Sequence, residues 1–289
     1  MDGSIYGVEL NPLNDAVSLR SEPKDGLTAR LALTEEHLRD AWGIRHDAYA
    51  AQGLIKPRSD GLLADESDFW PSVNVIVIYR DGVPVATTRV CLYEPQGGIK
   101  GADYVPAMAV YPDEVRQLYE TVPANGRHAR VVEIARLARH PDIGADSEPV
   151  FGLLRMACYM LLHMDADAAI SAVQKHHIPF YRRLGVESVT EPRRHPKFDA
   201  EVALLACVRK PEGHLRDSLK ILGLVSKSDS SYYDFVSGER VPVFGTGQAP
   251  AEVTGFMGGR FERAQGTRRM PMPVSVSSRE HRHEIAMAA

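Results

Sequence analysis

The chain has 289 residues, of which 44% are hydrophobic and 25% charged, the make-up of an ordinary globular protein with a sizeable core. A net charge of −4 argues against a general nucleic-acid binder, and no apolar run approaches the ~18 residues of a membrane span. Cys91, Cys158 and Cys207 are odd in number, widely spaced and set in apolar runs, which points to buried free thiols in a reducing compartment; no leader-like N-terminus is evident, so a cytoplasmic location is expected.

Residues 1–27 carry Asn11-Pro12, Pro23 and Asp25-Gly26 without a sustained period and read as a tail. Thr28–Thr34 is a short strand, and Thr34 with Glu35 and Glu36 opens a helix. That helix places Leu38, Trp42, Arg45 and Tyr49 on one face. From Gly53 to Pro71 the composition turns to Gly, Pro, Asp and Ser, a long loop carrying Asp60, Asp65 and Asp68. Val73–Tyr79 and Val83–Tyr93 are strands, and Asp81-Gly82 between them is a strong hairpin signal. Arg89 lies within the second strand. A loop region follows over residues 94–128, with a helical piece at Asp113–Thr121.

Arg130–Asp142 reads as an apolar strand, closed by His140-Pro141-Asp142, that carries Glu133 and Arg136. Residues three apart point to opposite faces of a regular strand; a β-bulge between them would turn both toward one cleft. A carboxyl group in an apolar cleft has its pKa raised toward neutrality, where it can take a proton from an amine. Ser147 is expected to cap the apolar helix Val150–Met164, with Pro149 in its first turn. Ala168–Gln174 is a buried strand, Ile178–Leu184 a short helix stopped by Gly185, and Glu201–Arg209 the last strand of the sheet. Beyond Pro211 a helix at His214–Leu222 is expected, and much of 226–289 reads as irregular. The order predicts an α+β fold, a mixed sheet with helices on its faces. The expected organisation is a tail at 1–27, one domain at 28–210 and an extension at 211–289.

The element order and the run Phe180-Tyr181-Arg182-Arg183-Leu184-Gly185 resemble the GNAT acyltransferase fold. The ordered set Arg45, Tyr49, Asp65, Asp68, Arg89, Glu133 and Arg136 resembles the signature of the acyl-homoserine-lactone synthases and the related N-acyl amino acid synthases. The lactone synthases usually carry a tryptophan about where this chain has Leu54-Ile55, so the match leans toward the amino acid synthases.

The resemblance implies transfer of a fatty acyl group from a thioester to an amine. Glu133 is then the candidate base, with backbone N–H groups at a bulge near Ala135 to hold the oxyanion. Tyr181 is the candidate acid for the leaving thiolate. Arg45, Tyr49, Asp65, Asp68, Arg89 and Arg136 would bind the acceptor or brace the loop over it. Coenzyme A enzymes of this fold carry a glycine-rich loop before the long helix, whereas Arg139–Glu148 offers one glycine and three acids. An acyl carrier protein donor is therefore expected, docking on Arg182, Arg183, Arg193, Arg194 and Lys197. The acceptor is a small amine, expected to be an amino acid, and neither cofactor nor metal is called for. The apolar helix Val150–Met164 offers a wall for the acyl chain. Two other readings are a lactone synthase using S-adenosylmethionine and a silent GNAT-like domain that binds an acyl ligand.

Overall fold

The computed structural model describes residues 26–144 and 146–244. Residues 1–25 of the expected N-terminal tail lie outside the described residues, as do His281 and His283, whereas Leu27, expected in that tail, already belongs to the first strand. Among the described residues nine strands form one sheet, in the order β6-β8-β5-β4-β3-β2-β1-β9, with β7 paired to β8. They are β1 (Leu27–Leu31), β2 (Val73–Arg80), β3 (Val83–Tyr93), β4 (Val131–Arg139), β5 (Ala168–Gln174), β6 (Glu187–Ser188), β7 (Arg193–Arg194), β8 (Glu201–Val208) and β9 (Val241–Pro242). All pairings are antiparallel except β4 with β5. This mixed sheet with helices on both faces is the expected GNAT-like α+β fold.

The β2–β3 hairpin turns through Asp81 and Gly82, both at positive φ (50° and 81°), as a two-residue loop of the primed type requires. Helix α1 (Glu35–Ala51) starts where Thr34 accepts the His37 N–H. It buries Leu38, Trp42, Ile44 and Arg45, packing on Val75, Val77 and Tyr79 of β2. Helix α2 (Pro112–Thr121) covers the same face further along, over Cys91, Tyr93 and Val131. Helix α3 (Glu148–His163) is apolar nearly all round and fills the other face against Ile76, Ile78, Val90 and Val132.

Three local expectations need correction. Ser147 makes no side-chain cap; Asp146 Oδ1 accepts the Glu148 N–H instead, because Ser147 is itself in helical geometry. The strand carrying Glu133, by contrast, ends at Arg139 where His140-Pro141 turns into a short 3-10 segment, the closure expected of it. The helix expected at His214–Leu222 is one turn, α5 (Leu215–Ser218), and a 3-10 segment at Lys220–Leu224. Lastly, the chain after 226 is not irregular throughout: α6 (Ser230–Val236) buries Tyr232 and Phe235, and β9 adds to the open edge of β1. Gly152 in α3 lets this segment approach, because a Cβ there would stand 2.8 Å from Val243 Cγ1.

Tyr159 of α3 packs against α6, its ring 5.5 Å from Tyr232 and its hydroxyl donating to Asp229 at 3.0 Å. Phe235 is fully buried in the main core. Phe235→Ala should lower stability by roughly 3–5 kcal/mol in denaturant unfolding. A loss under about 1 kcal/mol would mean that the 230–242 segment contributes nothing to the core.

Candidate active site

Two features of β4 create the site. The first is a bulge: the β3–β4 register shifts between Thr87 and Arg89, so that Arg136 and Leu137 oppose the single residue Thr88. Arg136 is the bulged residue, at φ 55°, in the left-handed region where glycine is usual. The bulge thus sits at Arg136 itself, not between Glu133 and Arg136. It turns the Arg136 side chain to the α1 side, the face to which Glu133 also points. The second feature is a parting of strands: β4 and β5 pair only over Val131–Glu133 and Ala168–Ile170. Beyond that point Ser171 Oγ reaches across to donate to the Ile134 carbonyl at 2.7 Å.

Around this opening the predicted charged residues form one network. Asp68, completely enclosed, accepts from Arg45 Nη1 at 2.6 Å and Trp42 Nε1 at 2.8 Å on one oxygen, and from Arg89 Nη1 at 3.1 Å on the other. Arg89 Nη1 also donates to Ser67 Oγ at 2.8 Å and lies 3.3 Å from Asp65 Oδ2. Arg136 Nη2 meets that same Asp65 oxygen at 3.1 Å, and its guanidinium stacks 4.6 Å over the Phe198 ring. Asp65 meanwhile caps the 3-10 turn Glu66–Phe69 by accepting the Ser67 N–H and hydroxyl. Burial works against its charge, yet Arg89, Ser67 and Arg136 hold Asp65 well below the usual carboxylate range.

Glu133 lies beside this network without joining it by a hydrogen bond. It is 1% exposed, opposite Cys91 on β3, and its carboxyl accepts the Ala107 N–H at 2.8 Å. Burial pushes its pKa up to about 7, and the Ala107 bond, Arg89 and Arg136 only moderate the rise. The 3-10 turn Pro106–Ala109 screens it from a cavity of about 530 Å³. That cavity has a cationic floor of Arg45, Arg89 and Arg136 and aromatic walls of Trp70, Tyr104 and Phe198. The Nε and Nη2 of Arg45 and the Nε of Arg89, all buried, have no hydrogen-bond partner among the described residues.

The remaining predicted residues sit apart. Tyr49 stands edge-on to Phe198, 5.4 Å between ring centres, outside the ion-pair network. Tyr181, on α4 (Ile178–Arg183), is on the opposite face of the sheet from Glu133, in the core under α3. Burial pushes its phenol up to about 12, with Tyr49 adding to the rise. The basic cluster splits. Arg182 and Arg183 are exposed on α4, and Arg182 comes within 4.0 Å of Glu187. Arg193 is tied to Glu114 and stacks 4.7 Å over Tyr111, and Arg194 pairs with Asp199 at 2.8 Å. Lys197 lines the cavity and a neighbouring open groove of about 420 Å³ that also takes Lys56, Arg194 and His195. Burial, Arg136 and Lys197 lower the His195 ring to about 4, so it is neutral at pH 7.

Sequence reading gave no site role to Trp42, Ser67, Trp70, Tyr104 or Phe198. Trp42 stands one turn before Arg45, a spacing that placed it on the right face, but its bond to Asp68 spans 26 residues. Trp70, Tyr104 and Phe198 come from three separate loops with no shared local pattern.

The N-acyl amino acid synthase FeeM family matches the sequence over residues 40–208, more than half of the chain. The chain belongs to that family. It is accordingly an acyltransferase. Comparison with curated proteins returns no match. Among solved structures it is similar to FeeM, an N-acyl amino acid synthase from uncultured soil microbes, at 18% identity and a TM-score of 0.55, covering 70% of this chain and 98% of that one. That likeness shows the fold. Similarity also extends to the acyl-homoserine-lactone synthase LasI (15% identity, TM-score 0.46, 68% and 95% covered). BjaI, a CoA-dependent lactone synthase, is alike at 16% identity and a TM-score of 0.44, with 67% and 85% covered. The family match and the charged network coincide in one stretch of chain, since every residue of the network lies within 40–208.

Two stability measurements test the network. Asp68→Asn leaves Arg45 and Arg89 buried with too little counter-charge and should lower stability by roughly 3–5 kcal/mol. Glu133 should behave in the opposite way. Its pKa is about 7 when folded against an ordinary 4.5, so the unfolded chain releases the proton first and stability falls as pH rises from 4.5 through 7. Above pH 7 the penalty is complete, on the order of 3 kcal/mol. Glu133→Gln should therefore stabilise the protein at pH 8 by ~2–3 kcal/mol and hardly at all near pH 4. Equal shifts at both pH values would show that the carboxyl is not held protonated by its surroundings.

Proposed function

We propose that the protein transfers a fatty acyl group from an acyl carrier protein thioester to the amine of an amino acid, giving an N-acyl amino acid. The observation that carries this reading is Glu133, a buried carboxyl with a pKa near 7 at the parting of β4 and β5. An attacking amine must shed a proton, and a base with a pKa near the working pH is the most effective acceptor. The Pro106–Ala109 turn stands between Glu133 and the cavity, so the proton passes either by way of water or after a small shift of that turn.

An acceptor with a carboxylate suits the cavity. Three guanidiniums, Arg45, Arg89 and Arg136, face the two carboxylates Asp65 and Asp68, and the buried unpartnered N–H groups of Arg45 and Arg89 are donors for one more anion. Tyr49 and Phe198 close the rim beside Arg136. The oxyanion would be stabilised by backbone N–H groups near Ala135, where the bulge interrupts the β3–β4 ladder. Tyr181, protonated at any working pH, is the acid for the leaving thiolate, approaching from the other face of the sheet.

The start of α3 favours a carrier-protein donor over free coenzyme A. A pyrophosphate would need the N–H groups of that helix end, but Asp146 accepts the Glu148 N–H, and Arg80 clamps both acids at 2.7 and 3.0 Å. The acidic carrier protein would dock on Arg182, Arg183, Arg194 and Lys197, with Arg193, bound to Glu114 and Tyr111, anchoring the β7 loop beneath them. On this reading residues 28–210 carry the chemistry and the extension from 211 braces them.

The test is product mass spectrometry with long-chain acyl carrier protein thioesters and a pool of amino acids. An acylated amino acid is the expected product; an acyl lactone formed with S-adenosylmethionine would replace the acceptor assignment. kcat/KM should rise with pH about a midpoint near 7, and Glu133→Gln should lower it roughly 10²–10⁴-fold. Arg182→Glu with Arg194→Glu should raise the KM for the carrier protein while leaving kcat nearly unchanged.

A further inference from the structure

Three guanidiniums line the cavity, but they differ in access. The side chains of Arg45 and Arg89 are 1% exposed, whereas that of Arg136 is 14% exposed. Arg136 Nη2 is engaged by Asp65, and its other N–H groups have no hydrogen-bond partner among the described residues. A planar guanidinium donates within the plane of its fork, so a ligand in the cavity meets these groups squarely only while that plane is held. One end of the side chain is fixed by the backbone, at φ 55° in the bulge. The other end has Asp65 at its edge and the Phe198 ring against its face, 4.6 Å from the ring centre.

Phe198 is itself held firmly. It lies in the loop 195–200 that joins β7 to β8. Across this loop the His195 N–H donates to the Ala200 carbonyl at 2.9 Å, and the Lys197 N–H donates to His195 Nδ1 at 3.1 Å. Arg194 and Asp199 close it with an ion pair at 2.8 Å. The Phe198 ring is bracketed by Tyr49, edge-on at 5.4 Å, and by the His195 ring at 4.6 Å. The Asp199 N–H reaches the Leu54 carbonyl at 3.4 Å, which ties the hairpin to the chain beyond α1. The hairpin thereby presents one flat, braced surface to Arg136.

We propose that Phe198 is a positioning residue for the amine acceptor: its ring fixes the plane of the Arg136 guanidinium, whose open N–H groups then receive the acceptor's carboxylate. This rests on the acyl-transfer reading above. The ring acts through the arginine and not by touching the reacting atoms. A leucine at 198 would keep an apolar wall of similar bulk and lose the flat π face, so the two roles of the side chain can be separated.

The experiment uses the full chain, with carrier-protein thioesters and the amino acid that the wild type acylates. Phe198→Leu should raise the acceptor KM about tenfold with a smaller change in kcat, and Phe198→Tyr or Phe198→Trp should restore it. In an Arg136→Gln background, Phe198→Leu should add almost nothing, because the two changes remove one interaction. An equal added loss with and without Arg136 overturns the proposal, since the ring would then act on the acceptor directly. In parallel, carbon-13 NMR of the free protein follows the Glu133 carboxyl, assigned with Glu133→Gln. Arg136 opposes the rise of that pKa, so loosening its guanidinium in Phe198→Leu should move the midpoint above the wild-type value near 7, while Phe198→Tyr leaves it in place. Transfer with an unmoved acceptor KM or an unmoved midpoint overturns the positioning role and leaves the acyl-transfer reading standing. Absence of transfer by the folded wild type, with a midpoint that moves in Phe198→Leu alone, supports the hold on Arg136 and overturns the acyl-transfer reading. Absence of transfer with an unmoved midpoint overturns both.

Discussion

The carboxylate of Asp68, enclosed between the guanidiniums of Arg45 and Arg89, is the interaction on which the site depends. It ties α1, β3 and the loop before β2 to one point, and Trp42 closes the set with an indole N–H. Taking three charges out of water is unfavourable unless each finds its partner, so the geometry of the group is strongly restricted. Asp65 extends the chain of charges outward to Arg136, and through it to the bulge in β4. The loop from Gly53 to Pro71, which has only a short 3-10 turn of its own, is held over the sheet by these two acids.

Glu133 shows the opposite use of burial. Where Asp65 and Asp68 are kept ionised by arginines, Glu133 is close enough to the same arginines to feel them but not to pair with them, and desolvation dominates. Two neighbouring carboxylates and one carboxyl group thus differ in protonation because of partner distance. This division matches what acyl transfer to an amine asks for, a fixed electrostatic frame and one group free to exchange a proton. The raised pKa also makes this carboxyl a local source of instability at neutral pH, because the fold accommodates its ionised form poorly.

The two faces of the sheet have separate tasks. The α1 and α2 face holds the charged cavity and Glu133; the α3 face holds Tyr181 and a small apolar void. Between them β4 and β5 part after three residue pairs. A charged lining and an apolar one are thereby kept on different sides of one strand.

Local chemistry in the sequence was enough to place β1 to β5, β8, α1, α3 and α4, since hairpin, cap and apolar periodicity act between near neighbours. The Asp81-Gly82 turn and the Thr34 cap are of this kind. The charged residues of the network were also legible, because charges inside apolar runs and an acidic loop stand out without any contact being known. Tertiary structure alone decided which acid meets which arginine, since those bonds span 21 to 71 residues. It decided the position of the bulge, which follows from the β3–β4 register and not from a glycine, and the aromatic walls drawn from separate loops. It also made ordered elements of residues 230–242. Their apolar content is modest and their helix short, and they gain stability only by packing on α3 and pairing with β1, which no local pattern expresses.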